Sequence, residues 1–199
     1  MVQVIRVELA DAQGATPLDP DTLSGLKLSH IATQAHLNTA EEANVLSALA
    51  WSKRSRSNDI LSRAFIQSLH KRMFGDVWRW AGIWRKRETS IGVDPATIPP
   101  RVEALLGDVR YWAANATFDR DEIAIRLHHQ LVSIHPFPNG NGRHTRLMAD
   151  LLVGRLGGAP FSWGGANLSA AGDVRERYID ALRSADRGDL SSLLAFARG

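Results

Sequence analysis

The residues best equipped for chemistry lie in one run, His135-Pro-Phe-Pro-Asn-Gly-Asn-Gly-Arg-His-Thr-Arg146. It sets an imidazole ahead of a glycine-rich turn that leads into a helix opened by Arg143 and Arg146. Gly140 and Gly142 let the backbone turn sharply and bring its N–H groups close to a ligand, and the helix start adds unpaired N–H groups and a positive dipole end. Two cations in a first turn oppose the helix dipole and each other, at about 0.3–1 kcal/mol for each placement. A bound phosphate reverses that sign. His135, with an ordinary pKa near 6.5, is the base that could face such an anion. The same residues have structural readings as well: Arg146 can pair with Asp150 one turn on, Asn141 can be a turn residue, and Phe137 is best read as a core anchor for the loop.

Other phosphate and metal chemistries fit poorly. Gly140-Asn-Gly142 has the first half of a dinucleotide fingerprint, but no third glycine follows and the preceding element reads as a helix. The Gly-Lys-Ser/Thr of a P-loop is absent, and a kinase loop would sit between strands. His128, His129, His135 and His144 lack the i, i+4 pair with an intervening Glu of a helical zinc site. His128 and His129 are expected to face solvent or the edge of a polar pocket.

The elements that must position this run are helical. Residues 2–9 alternate weakly and precede Gly14, Pro17 and Pro20, so residues 1–38 are read as an arm and polar lead-in and residues 39–199 as one domain. Thr39 is expected to cap a helix whose apolar positions include Ala43, Leu46, Ala50 and Trp51. A second helix follows Asn58-Asp59, with Ile60, Leu61, Phe65, Leu69 and Phe74 on its stripe. The tryptophans of Val77-Trp-Arg-Trp-Ala-Gly-Ile-Trp84 are read as core packing rather than a ligand cage. Arg85 to Pro100 breaks the helical pattern and reads as an extended or hairpin segment, a flap. A helix over Arg101–Ala114 buries Val102, Leu105, Leu106, Val109 and Trp112. Asp119 and Glu122 resemble a capping box for the next helix, which Pro136 stops just past His135. The Arg143 helix reaches about Leu156, Gly157 to Ser169 is a loop, and a final helix pair starts near Val174 and breaks near Gly188.

Composition narrows the classes. The chain has 199 residues, 44% of them hydrophobic and 23% charged, the composition of an ordinary globular domain. Its net charge is only +3, so nothing in the charge argues for direct nucleic-acid binding. With no cysteine it has no disulfide, thiolate metal site or cysteine nucleophile, which fits a reducing compartment; the cytoplasm is the expected location. Neither a signal peptide nor a membrane-spanning run is recognised.

The run from His135 to Arg146 resembles the motif of the Fic family, His-x-Phe-x-Asp/Glu-Gly-Asn-Gly-Arg-x-x-Arg, at every fixed position but one. Trp80-Ala-Gly82 ahead of the flap, the Asp119–Ile134 segment, and the tail from Arg177-Tyr178 to Gly188-Asp189 resemble the Fic/Doc core too. The opening and the Asn-containing loop are most similar to a bacterial subgroup called mobile mystery protein B. The resemblance implies an all-α bundle with a small β-hairpin flap that transfers AMP from ATP to a Ser, Thr or Tyr hydroxyl of a target protein. It implies His135 as base, Arg143 as a catalytic cation, and Gly140, Asn141, Gly142, Arg143 and Arg146 as nucleotide-binding residues. Target docking would fall on Thr89, Ser90, Ile91 and Gly92 by strand addition. Asn139 stands where the family has a carboxylate for Mg²⁺; it keeps an oxygen and loses the charge. An inhibitory helix is implied as well, with Glu42 of Asn38-Thr-Ala-Glu-Glu-Ala43 meeting Arg146. The alternatives are a Doc-like phosphotransferase and a nucleotide-binding regulatory module without turnover, either with a helix-turn-helix partner or antitoxin.

Overall fold

A computed structural model describes residues 23–28, 34–54, 59–165 and 172–199. Within them lie seven α-helices: α1 (Gln34–Arg54), α2 (Arg63–Phe74), α3 (Ile98–Asn115), α4 (Arg120–Ile134), α5 (Asn141–Arg155), α6 (Asp173–Asp186) and α7 (Ser191–Arg198). The expectation of an all-α domain therefore holds, while the arm at residues 2–9 lies outside the described residues. No strand forms among the described residues. The expected flap hairpin is instead an irregular loop between Arg85 and Asp94, tied down by contacts to its neighbours rather than by a ladder of its own.

Helices α4 and α5 form the central pair, joined by the His135–Gly140 loop, and α2, α3 and the α6–α7 hairpin pack around them. The reason is apolar periodicity: Ile123, Leu127, Leu131 and Ile134 of α4 meet Met148, Leu152 and Val153 of α5, all in one buried cluster with Leu69, Phe74 and Leu106. Burying side chains of this size contributes about 1.5–3 kcal/mol each. Trp78 is fully buried and stacks on Trp80 with ring centroids 4.9 Å apart, so the tryptophan run does serve packing.

Several local expectations are corrected. α1 begins at Gln34, so Thr39 lies inside it and the proposed boundary between residues 38 and 39 cuts a continuous helix. Its buried stripe is Leu37, Glu41, Asn44, Ala48 and Ser52, whereas Ala43, Leu46 and Ala50 are exposed. α2 is capped by Ser62, whose hydroxyl accepts from the Phe65 N–H, with Ile60 and Leu61 buried just ahead of it. The Asp119–Glu122 capping box does not form: Asp119 makes no side-chain cap bond, and Glu122 accepts from Arg126 at 2.6 Å. Residues 25–27 belong to the body too, since Lys27 N–H donates to the Val77 carbonyl at 2.8 Å and Arg79 N–H to that of Gly25 at 2.8 Å.

Candidate active site

His135 ends α4 in the left-handed conformation, φ 53° and ψ 59°, which turns the chain into the loop and leaves the imidazole 4% exposed. A non-glycine residue holds that conformation only when its surroundings impose it. Burial lowers the pKa of the ring to about 4, with the Arg85 guanidinium adding to the shift and a hydrogen bond to the Val132 backbone opposing it. At neutral pH the ring is uncharged and able to accept a proton.

The loop after it is built from inside. Phe137 is fully buried, stacked on His70 at 3.6 Å and edge-on to His144 at 5.2 Å, as expected of an anchor. Asn141 closes the turn: its Oδ1 accepts from the Phe137 N–H at 2.9 Å and its Nδ2 donates to the Phe137 carbonyl at 2.8 Å. The Asn141 side chain is thus engaged within the loop, and what it can offer a phosphate is its backbone N–H. Gly140 has φ 76°, and a Cβ there would lie 2.6 Å from the Phe74 ring. Gly142 differs, since a Cβ would meet only the Arg146 guanidinium at 3.5 Å and the Tyr178 hydroxyl at 3.9 Å. The bare Cα of Gly142 therefore leaves open the space between the first turn of α5 and Arg146, where the unpaired N–H groups of that turn converge.

Cations surround this space. Arg146 lies 5.3 Å from the Tyr178 ring, and Arg143 lies 4.8 Å from the Phe74 ring. Asp150 is not in an ion pair with Arg146; its carboxylate accepts from the Phe161 N–H and Trp163 Nε1. Arg175 of α6, which the motif does not include, feels the repulsion of both Arg146 and Arg143, and this adds to burial in lowering its pKa. Three guanidinium groups near one helix N-terminus suit a polyphosphate.

The acid of this segment that reaches the motif arginines is Glu41 rather than Glu42. Glu42 is exposed, whereas Glu41 is 4% exposed and its carboxylate lies 2.6 Å from Arg143 Nη1, with its other oxygen accepting from Trp78 Nε1 at 2.6 Å. The pairing is with Arg143, not Arg146. One residue along a helix rotates a side chain by about 100°, which is enough to exchange an exposed face for a buried one.

Two histidines were missed or misplaced. His70 accepts from the Gly82 N–H at Nδ1, 3.0 Å, which fixes the proton on Nε2 for donation to the Asn139 carbonyl, also 3.0 Å. It ties the Trp80-Ala-Gly82 turn to the motif loop. His128, expected near solvent, is fully buried, its Nε2 3.1 Å from the Tyr178 hydroxyl; His129 reaches Asp186 at 2.8 Å. No signal in the sequence separates these from ordinary core positions.

Asn139 does not fit a carboxylate-type Mg²⁺ ligand. Its Oδ1 accepts from the Gly140 N–H at 2.6 Å, and among the described residues no group of three or more His, Cys, Asp or Glu is placed to hold a metal ion.

The expected flap residues form the loop beside His135. Thr89 Oγ1 donates to the Ile91 carbonyl at 2.5 Å, and Ser90, Ile91 and Gly92 are exposed. The loop is bound at both ends to the motif backbone, Arg85 N–H to the Pro136 carbonyl at 2.9 Å and Val93 N–H to the Ile134 carbonyl at 3.3 Å.

Residues 60–153 match the sequence model of the Fic/DOC family. The chain is 30% identical over 146 residues to the protein adenylyltransferase fic-1 of Caenorhabditis elegans, covering 71% of this chain and 27% of that protein. It is 26% identical over 204 residues to a probable protein adenylyltransferase of Aquifex aeolicus, covering all of this chain and 56% of that one. It thus spans between about a quarter and just over half the length of these relatives. The fold is shared with the BepC protein of Bartonella tribocorum solved with bound AMPPNP, at TM-score 0.66 and 16% identity, over 84% of this chain and 87% of that one.

Proposed function

Given that residues 60–153 form a Fic/DOC-family domain, we propose that this chain is a protein adenylyltransferase that moves AMP from ATP to a Ser, Thr or Tyr hydroxyl of a target protein. The observation that carries this reading is the convergence of a neutral imidazole, His135, with a helix N-terminus opened at Gly142 and ringed by Arg143, Arg146 and Arg175. Support also comes from the relatives named protein adenylyltransferase.

The reaction follows from the geometry. The polyphosphate lies against the first turn of α5, with Asn141 and Gly142 contributing backbone N–H groups, Gly140 setting the turn while its own N–H is held by Asn139, and Arg143 and Arg146 balancing the charge. The target hydroxyl oxygen attacks the α-phosphorus, its proton passes to His135, and the bond to the pyrophosphate oxygen breaks. General-base help of this kind is worth about 10²–10⁴ in rate. Mg²⁺ would reach this site with the nucleotide rather than from a carboxylate of the loop. The target docks along the exposed edge Thr89–Gly92, its main chain lying beside the loop.

Glu41 restrains the site by occupying Arg143, which must turn to the nucleotide for transfer to proceed. A partner of the helix-turn-helix or antitoxin type is consistent with an activity held in check. We place the reaction in the cytoplasm; no helix among the described residues is long and apolar enough to cross a membrane.

A second reading is favoured by Asn139, namely nucleotide binding without turnover. Intact-mass analysis of the wild-type chain and His135→Ala, incubated with ATP, Mg²⁺ or Mn²⁺ and a lysate as target source, decides among them. A His135-dependent gain of one AMP establishes adenylyl transfer; a phosphate gain makes the chain a Doc-like phosphotransferase. Binding of a non-hydrolysable ATP analogue with no adduct under either metal establishes the binding module.

A further inference from the structure

Arg85 is a buried cation, 5% exposed, that forms no ion pair among those found in the described residues. Its guanidinium spends its donors on backbone carbonyls instead. Nε donates to His135 at 2.6 Å and Nη1 to Arg87 at 2.7 Å, while Nη2 donates to Val93 and, at 3.4 Å, to Ile134. Two of these carbonyls end α4 at the base, and two belong to the ends of the loop over residues 87–93. Gly92 of that loop presses on the same place, where a Cβ would lie 2.6 Å from Arg85 Nη2 and 2.7 Å from the His135 Cβ.

We infer that Arg85 is a positioning residue that couples the docking loop to the base, fixing the left-handed turn at His135 and the placement of residues 87–93 through one guanidinium. The inference rests on the proposed transfer for its catalytic consequence but not for its structural one. A planar fork with donors in fixed directions is suited to bridging carbonyls from two segments, and a lysine ammonium is a poorer substitute. A shift of about 1 Å in a reacting group costs about 100-fold in rate. Because none of these side-chain hydrogen bonds reaches the turn of α5, Arg143, Arg146 or Arg175, the loss of Arg85 is felt in the chemical step rather than in nucleotide affinity.

Other charges reach this centre as well. Glu88 and Asp94 of the loop region act on Arg85, and Arg85 in turn acts on His135.

The test uses Arg85→Lys and Arg85→Gln in the full chain, with two readouts. In the first, AMP transfer is followed against ATP concentration. Arg85→Gln should lose about 100-fold in kcat with the KM for ATP unchanged, and Arg85→Lys should recover part of that loss. In the second, amide hydrogen exchange is measured without nucleotide; the Val93 amide should exchange about 10-fold faster in Arg85→Gln than in wild type. Wild-type kcat in Arg85→Gln, or kcat and ATP affinity falling together in step with Tm, overturns the inference. If Arg85→Gln does not fold, Arg85→Lys decides: wild-type kcat and wild-type Val93 exchange overturn it, and reduced kcat at unchanged KM supports it. If the wild-type chain transfers no AMP, the proposed function fails alone and exchange at Val93 still judges the coupling.

Discussion

The carboxylate of Glu41 bridges Arg143 and Trp78, with one oxygen 2.6 Å from the guanidinium and the other 2.6 Å from the indole N–H. A neutral replacement that keeps an acceptor separates the two roles. Glu41→Gln should keep the Trp78 contact and hold Tm near wild type, while freeing Arg143 should tighten ATP binding about 10-fold, the scale of one charge-assisted hydrogen bond. Glu41→Ala strands the buried indole N–H as well and should cost about 1–3 kcal/mol of stability. Glu42→Gln, on the exposed face, should change neither. Calorimetric titration with a non-hydrolysable ATP analogue, alongside thermal melts, checks all three.

Gly140 and Gly142 should part company. Gly140→Ala puts a methyl group against the Phe74 ring at φ 76°, and should destabilise the fold by about 1–3 kcal/mol. Gly142 has ordinary space around it inside a helix, where alanine is favoured by up to about 1 kcal/mol, so Gly142→Ala should melt no lower than wild type. That methyl group enters the space in front of Arg146, so ATP affinity should fall. Equal affinity in Gly142→Ala and wild type would place the phosphates elsewhere.

Much of this site is legible in the sequence because one run of residues carries both the turn and the chemistry. Local signals find His135 at a helix end, Phe137 in the core and the arginines on α5, since each depends on neighbours a few positions away. The partners that complete the site come from far along the chain. Glu41 is 102 residues from Arg143, Arg85 is 50 from His135, and His70 is 69 from Asn139. Hydrophobic periodicity misled for α1 because the face it buries carries Glu41, Asn44 and Ser52, polar residues turned toward the body of the protein. His128 was misplaced for the same reason: a neutral imidazole with a buried Tyr178 hydroxyl as partner is indistinguishable in sequence from an exposed one.

Arg175 should contribute to nucleotide affinity, since it stands half-buried close enough to Arg146 and Arg143 to feel their charge. Loss of one phosphate-facing guanidinium should weaken ATP binding by about 10-fold, and by less at high salt. Titrations at two ionic strengths measure both effects.

Acid should unfold the protein before it protonates His135. Burial lowers the pKa of His135 to about 4 and those of His128 and His144 to about 3, and holds His70 well below its ordinary value. A histidine with a depressed folded pKa binds fewer protons folded than unfolded, so its penalty is absent above about pH 6.5 and grows as pH falls toward the folded value. Each ring costs about 1.4 kcal/mol per pH unit in that window, so His128, His135 and His144 together cost about 4 kcal/mol per unit, and His70 acts in the same direction. The raised pKa of Asp150 works the other way and the lowered pKa of Asp121 in the same direction, one carboxylate against another. Against a domain stability of about 5–15 kcal/mol, unfolding should centre near about pH 5. Transfer activity and the helical circular dichroism signal should therefore disappear together on acidification. Activity lost well above the unfolding transition would point to titration of a group other than these histidines.

The Asn141 staple and the seat of Gly140 on Phe74 carry a consequence for how nucleotide arrives. The loop takes its final shape when the chain folds, so its ordering entropy is spent before any ligand is met. ATP then meets a loop already in shape, with the release of Arg143 from Glu41 still to come, so affinity differences among variants that keep this pair should appear as differences in residence time.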